Sequence, residues 1–244
     1  MAELEHTRIP TNGITLHVTQ AGPPDGTLVI LLHGFPEFWY GWRRQLPFLA
    51  ESGYRVWCPD QRGYNLSDKP GGIAPYSLDE TSADVIGLID AAEREKACLI
   101  GHDWGAAVAW WTAMKYRERL EKLVILNVPH PIVSGPTIRH HPIQRRKSWY
   151  IFFFQIPWLP EALLRLGNWR TLEKAMLASA RPGAFSQADM EEYRKAWSQP
   201  GAMINWYRAA VRNPPKLPPN RMVSTPALII WASTTAILSR KRRK

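Results

Sequence analysis

One five-residue stretch constrains this chain more than any other: Gly101-His102-Asp103-Trp104-Gly105. The apolar run Ala97-Cys98-Leu99-Ile100 precedes it, and small helix-forming residues, Ala106 to Ala109, follow. That order predicts a strand, a sharp turn and a helix. Glycine on either side leaves room for a strained tip residue whose neighbours would otherwise collide. The tip residue is Asp103. A bare Gly-x-Asp-x-Gly favours an aspartate that caps a helix N-terminus. The motifs elsewhere in the chain turn the reading toward a carboxylate presented for chemistry.

The surrounding pattern alternates strand and helix. Ile14 to Gln20 alternates apolar and polar residues, as a half-exposed strand does. Gly22-Pro23-Pro24-Asp25-Gly26 is a turn, and Leu28 to Leu32 is the continuous apolar run of a strand buried on both faces. A helix is predicted over Trp39–Glu51, a strand over Tyr54–Cys58, and a helix from the Ser77/Glu80 capping box to about Glu93. Strand 97–100, a helix to Tyr116 and strand Leu123–Leu126 follow. This alternation implies a mostly parallel, doubly wound α/β sheet. From Pro131 to Pro219 no strand is evident and helical propensity dominates. A proline-rich linker, Pro214 to Pro219, ends the segment before Pro226–Trp231 restores a strand. The chain therefore divides into 1–131, a first part of an α/β core; 132–219, an inserted helical lid; and 220–244, a return to the core with a basic tail.

Composition removes several classes. With 45% hydrophobic and 21% charged residues, the 244-residue chain reads as a soluble globular protein with one substantial core. The net charge of +10 invites a nucleic-acid reading, but Arg240 to Lys244 supply half of it and Arg145-Arg146-Lys147 three more. No nucleic-acid motif accompanies either cluster, so a solvated tail and a solvated lid face are expected, with a nuclear-localisation patch the lesser reading of the tail. The apolar stretch from Trp149 to Leu166 is interrupted by Pro157, Pro160, Glu161 and Arg165, which makes it a poor membrane span. Met1 to Glu5 is acidic and carries no secretory signal, so a cytoplasmic location is expected. Cys58 and Cys98 fall in buried strands with no zinc or disulfide spacing. No metal and no cofactor are expected.

A second motif, His33-Gly34-Phe35-Pro36-Glu37, closes the third strand. With the aspartate-tipped turn, it resembles the α/β-hydrolase fold family and, within it, the soluble epoxide hydrolases. The resemblance covers about residues 8 to 231. It implies that Gly101–Gly105 is the nucleophile elbow, with Asp in place of the usual Ser. It implies an oxyanion hole from the backbone amides of Phe35 and Trp104, and a cis bond before Pro36 that aims the Phe35 amide. His33, Gly34, Pro36, Gly101, His102 and Gly105 are then structural members of the two motifs. Asp60 to Tyr64 and Ser67 to Pro70 resemble a pinned loop after the fourth strand, and Glu37 serves loop geometry.

A carboxylate nucleophile attacks saturated carbon and leaves an alkyl ester. That chemistry suits epoxide opening or halide displacement. Two lid segments select between them. Trp149-Tyr150 and Trp206-Tyr207 resemble those that carry the paired ring-opening tyrosines of epoxide hydrolases. A phenol, with a pKa of about 10, can hydrogen-bond and protonate the departing oxygen while neutral at pH 7. Trp104, Trp149, Phe153 and Trp206 are the expected apolar walls. The partners implied are a small apolar epoxide and water.

The resemblance fails at one end. The family pattern continues past strand 226–231 with a glycine and an Asp, which this sequence would carry near Thr235, and then with a final strand, a helix and a catalytic histidine. None of these is present; His130, His140 and His141 do not match that histidine. The expected consequences are an ester that forms but does not hydrolyse, and an uncovered sheet edge at 226–231. Two alternatives stay open: a haloalkane dehalogenase, which shares the Asp elbow and the Trp after it, and a non-catalytic relative that binds apolar ligands. The absence of Ser from the elbow argues against a serine esterase.

Overall fold

Apolar runs in this chain become the inner strands of a seven-stranded sheet. The computed structural model describes residues 3–219 and 221–232. The strands are β1 (Glu5–Thr11), β2 (Ile14–Ala21), β3 (Leu28–Leu32), β4 (Arg55–Pro59), β5 (Ala97–His102), β6 (Leu120–Leu126) and β7 (Ala227–Ile230). Their order is β1-β2-β4-β3-β5-β6-β7. β1, β2 and β4 pair antiparallel, and the remaining neighbours pair parallel.

Every residue of β3 is buried, and its side chains alternate between two apolar layers. Leu28, Ile30 and Leu32 face the layer that holds Leu99, Val108 and Leu123; Val29 and Leu31 face Leu46, Val56 and Cys58. Helix α1 (Gln45–Glu51) covers the second layer. Helices α2 (Leu78–Ala91) and α3 (Trp104–Lys115) cover the first. This is the two-sided cover that a parallel sheet needs. Cys58 and Cys98 are free and buried.

Four sequence expectations need correction. The strand expected half-exposed at Ile14–Gln20 is buried on both faces from Leu16 onward, because it lies inside the sheet between its neighbours. A first strand, β1, precedes the one expected at Ile14, turning at Asn12-Gly13, where both residues take positive φ; such Asn-Gly pairs make tight hairpins. The helix expected over Trp39–Glu51 splits into a 3-10 turn, Trp39–Trp42, and α1. Pro47 accounts for the split, because extending α1 backward would set its ring against the Arg43 carbonyl. The strand expected from Leu123 begins at Leu120.

Among the described residues, six helices lie between β6 and β7: α4 (Pro131–His140), α5 (Pro142–Lys147), α6 (Trp149–Phe153), α7 (Leu159–Ser179), α8 (Gln187–Ala196) and α9 (Pro200–Arg212). α7 is broken at Leu166–Trp169, where Gly167, Asn168 and Trp169 take positive φ. His130 and His141 cap α4 and α5 through their ring nitrogens. Buried Arg208 knits the segment together. It donates to the carbonyls of Phe154 (3.0 Å) and Ile156 (2.8 Å) and to Glu161 Oε1 (2.6 Å). Bonds to the sheet side seat these helices: Trp206 Nε1 on the Arg62 carbonyl (3.1 Å), Trp197 Nε1 on the Pro36 carbonyl (2.6 Å), and Tyr40 and Arg43 on Asp189, each at 3.0 Å.

β7 pairs with β6, and Leu228, Ile229 and Ile230 are about half exposed. The expectations near Thr235 and at Arg240–Lys244 lie outside the described residues. Among the described residues no helix is long and apolar enough to cross a membrane.

Candidate active site

The elbow forms where β5 meets α3. Asp103 sits between them at φ 51°, ψ −120°, a conformation that costs a non-glycine residue roughly 1–3 kcal/mol. The amides of Ala106 and Ala107 hold its carbonyl at 3.0 and 3.1 Å. The flanking glycines permit close nesting. A Cβ on Gly101 would strike the backbone of Gly105 and Ala106, and one on Gly105 would strike the carbonyls of Leu32 and His33.

The His33–Glu37 loop meets this elbow. The Phe35 amide donates to Asp103 Oδ1 at 2.9 Å, and the Trp104 amide also bonds that carboxylate. The Phe35–Pro36 peptide is cis. A Cβ on Gly34 would fall within the Asp103 side chain. His33 is fully buried; its Nε2 accepts from the Gln61 amide at 3.0 Å while Nδ1 faces the Gly34 carbonyl at 3.0 Å. That pairing fits a neutral ring protonated at Nδ1, and burial lowers its pKa. The Asp103 carboxyl is buried, which pushes its pKa up; the His102 charge and the two amides pull it part of the way back.

Above the carboxylate lie the two tyrosines. Tyr150 comes from α6 and Tyr207 from α9, with ring centroids 5.7 Å apart at 82°. Tyr207 also meets Trp104 and Phe154 at 5.0 Å and Phe35 at 5.4 Å. The Trp104 indole donates toward the Tyr207 hydroxyl. Burial first, and the charge of Asp103 second, push both phenols well above their ordinary pKa. Both are therefore protonated donors at neutral pH. Trp206 is buried 5.8 Å from Trp104.

The expected apolar walls are only partly assembled. Phe153 is half-buried, whereas Trp149 is 62% exposed and reaches the cluster through Phe153 at 5.6 Å. Trp149 thus stands outside the wall assigned to it, because successive residues of α6 point about 100° apart and Tyr150 takes the inward direction. Phe154 fills the wall instead, 5% exposed and packed on Phe35 at 5.6 Å. The run Phe152-Phe153-Phe154 offered three equivalent candidates, and only the helix phase separates them.

Two residues given only a loop role by the sequence also face the site. Glu37 Oε2 lies 3.9 Å from His102 Nδ1. Burial opposes charge on both, yet each holds the other ionised: His102 shifts up and Glu37 down. Tyr64, in the Asp60–Tyr64 motif, sets its ring edge against His33 at 4.7 Å and buries a hydroxyl that has no partner among the described residues. The rest of that loop is pinned: Arg62 Nε donates to Asp84 at 2.6 Å, and Asp60 accepts from the Trp39 amide at 3.0 Å. No cluster suited to a metal ion occurs among the described residues.

A largely parallel sheet, an aspartate on a strand–turn–helix elbow and a helical insertion after β6 together define an α/β-hydrolase fold. That family matches residues 27–241, and the chain belongs to it, on its epoxide hydrolase-type branch. The AB hydrolase superfamily protein YfhM of Bacillus subtilis is 51% identical over 239 residues, spanning 97% of this chain and 83% of that protein. Epoxide hydrolase A of Mycobacterium tuberculosis is 32% identical over 269 residues, spanning 95% and 82%. Among solved structures, an epoxide hydrolase of Bacillus megaterium in complex with an inhibitor superposes with a TM-score of 0.87 at 28% identity, spanning 95% and 84%.

Proposed function

We propose that this chain opens small apolar epoxides through a covalent ester on Asp103. The carrying observation is the 2.9 Å bond from the Phe35 amide to Asp103 Oδ1, beneath the buried Tyr207 phenol and the half-buried Tyr150 phenol. With Oδ1 engaged, the other carboxylate oxygen attacks an epoxide carbon. A C–O bond to Asp103 forms while the ring C–O bond breaks. Negative charge grows on the departing oxygen, which Tyr150 and Tyr207 hydrogen-bond; one phenol gives it a proton and later regains one from water. The apolar chamber of Phe35, Trp104, Phe154 and Trp206 strengthens these interactions by excluding solvent. Hydrolysis then needs water to attack the ester carbonyl. The oxyanion so formed sits on the Phe35 and Trp104 amides before collapsing to carboxylate and diol.

That second half needs a base. No His, Asp or Glu follows Glu192 in the 244-residue sequence. His102, the histidine adjoining Asp103, faces Glu37. A polypeptide of this sequence is thus expected to accumulate the ester. Incubation with styrene oxide followed by intact-mass measurement tests this. The expected result is a stoichiometric adduct that maps to the Asp103 peptide and is absent in Asp103→Asn. Rapid diol release without adduct would overturn the stall, and no reaction at all would leave the non-catalytic binder as the better reading. Halide displacement is disfavoured, because paired phenols, Tyr150 and Tyr207, pack together near Asp103 and suit a departing oxygen.

A further inference from the structure

The outer face of α5 and α6 carries a surface that the chemistry above does not use. Ile143 and Trp149 are 59% and 62% exposed, and Phe152 nearby is 55% exposed. Ile143 and Trp149 share a shallow concavity with Arg146 and Lys147. Arg146 also lines a second concavity with His140, Pro142 and Arg145. Basic and apolar side chains therefore alternate across one continuous face. No described ion pair engages Arg145, Arg146 or Lys147. The sequence explains the one-sided charge: between Glu121 and Glu161 there is no Asp or Glu, while Lys122, Arg139, Arg145, Arg146 and Lys147 fall in that interval.

We infer that this face docks the protein on an anionic lipid surface. Exposed Trp, Phe and Ile beside Arg and Lys match the two layers of a membrane interface, with cations at the headgroups and rings at the acyl boundary. A polyanion such as duplex DNA would meet the cations but leave Ile143 and Phe152 against phosphate and water. Docking by this face would set α6, the helix that also carries Tyr150, against the lipid.

Vesicle sedimentation tests the inference without reference to turnover, so its failure is separable from failure of the epoxide reading. The full chain is mixed with phosphatidylcholine vesicles containing 30% phosphatidylserine, and with phosphatidylcholine alone. Binding is expected to the first and not the second. Arg145→Glu combined with Arg146→Glu should lower the partition coefficient at least tenfold, and Ile143→Asp severalfold, with unchanged circular dichroism. Serine in place of all five residues from Arg240 to Lys244 should leave most of the binding intact. The inference fails if the double variant binds like the parent, if the tail change alone abolishes binding, or if the parent retains duplex DNA but no vesicle.

Discussion

Gly34 and Asp103 occupy adjoining space so closely that no Cβ fits between them. The loop that supplies the Phe35 amide and the elbow that supplies the carboxylate are therefore in backbone-to-side-chain contact. Gly34→Ala must displace one of them. Overpacking of this kind costs about 1–3 kcal/mol, measurable by urea unfolding. The carboxylate would also shift against its donor, and a misplacement of roughly 1 Å can cost ~10²-fold in rate. Both losses are expected, with adduct formation from styrene oxide as the kinetic readout.

Asp103→Asn should abolish the adduct and raise thermal stability at neutral pH. Burial lifts the Asp103 pKa above its unfolded value, so the fold favours the protonated acid. Parent stability is then greatest below the unfolded pKa and declines as pH rises through the folded one. The neutral amide escapes that decline and can still accept from the Phe35 amide. Melting curves across pH should show an advantage for the variant at pH 7 that shrinks toward pH 3. In the parent, adduct formation should fall as acid protonates Asp103, with a midpoint shifted upward from that of an ordinary aspartate.

Tyr150→Phe and Tyr207→Phe each leave one phenol to meet the departing oxygen. Single variants should slow ester formation, and the double variant should slow it by ~10²–10⁴-fold, the range for general acid–base assistance. Quenched-flow mass measurement gives the rates. Tyr207→Phe should also release the Trp104 indole from its acceptor, so its effect on ligand affinity should exceed that of Tyr150→Phe.

Arg208→Ala removes four bonds at once, to Glu161, to Asn205 Oδ1 and to the carbonyls of Phe154 and Ile156. Breaking a largely buried pair strands the remaining charge and costs about 3–5 kcal/mol. The loss should concentrate in the helices between β6 and β7. Hydrogen exchange should accelerate across α6, α7 and α9 while β3 and β5 stay protected.

The inner strands could be read from sequence because their runs are apolar on both faces: Leu28–Leu32 has no polar residue to confuse strand with loop. β1 could not be found by the same signal. Glu5–Thr11 is an edge strand with one buried residue, and it carries Pro10 and charges, as edges do. Its only strong marker is the Asn12-Gly13 turn. Asp103, Phe35 and the two tyrosines were legible because each sits in a motif with a fixed neighbour. The direction of Trp149, the greater burial of Phe154 than of the expected Phe153, and the pairing of Glu37 with His102 depend on helix phase and loop closure. These arise only when distant segments meet.

The Asp189 carboxylate accepts from the Ser186 amide that begins α8, and from Tyr40 and Arg43 on the sheet side. One side chain thus nucleates a helix and fastens it. A chain that frays at Ser186 loses its clasp in the same event, so partial melting at this point also frees the start of α8 from Tyr40 and Arg43.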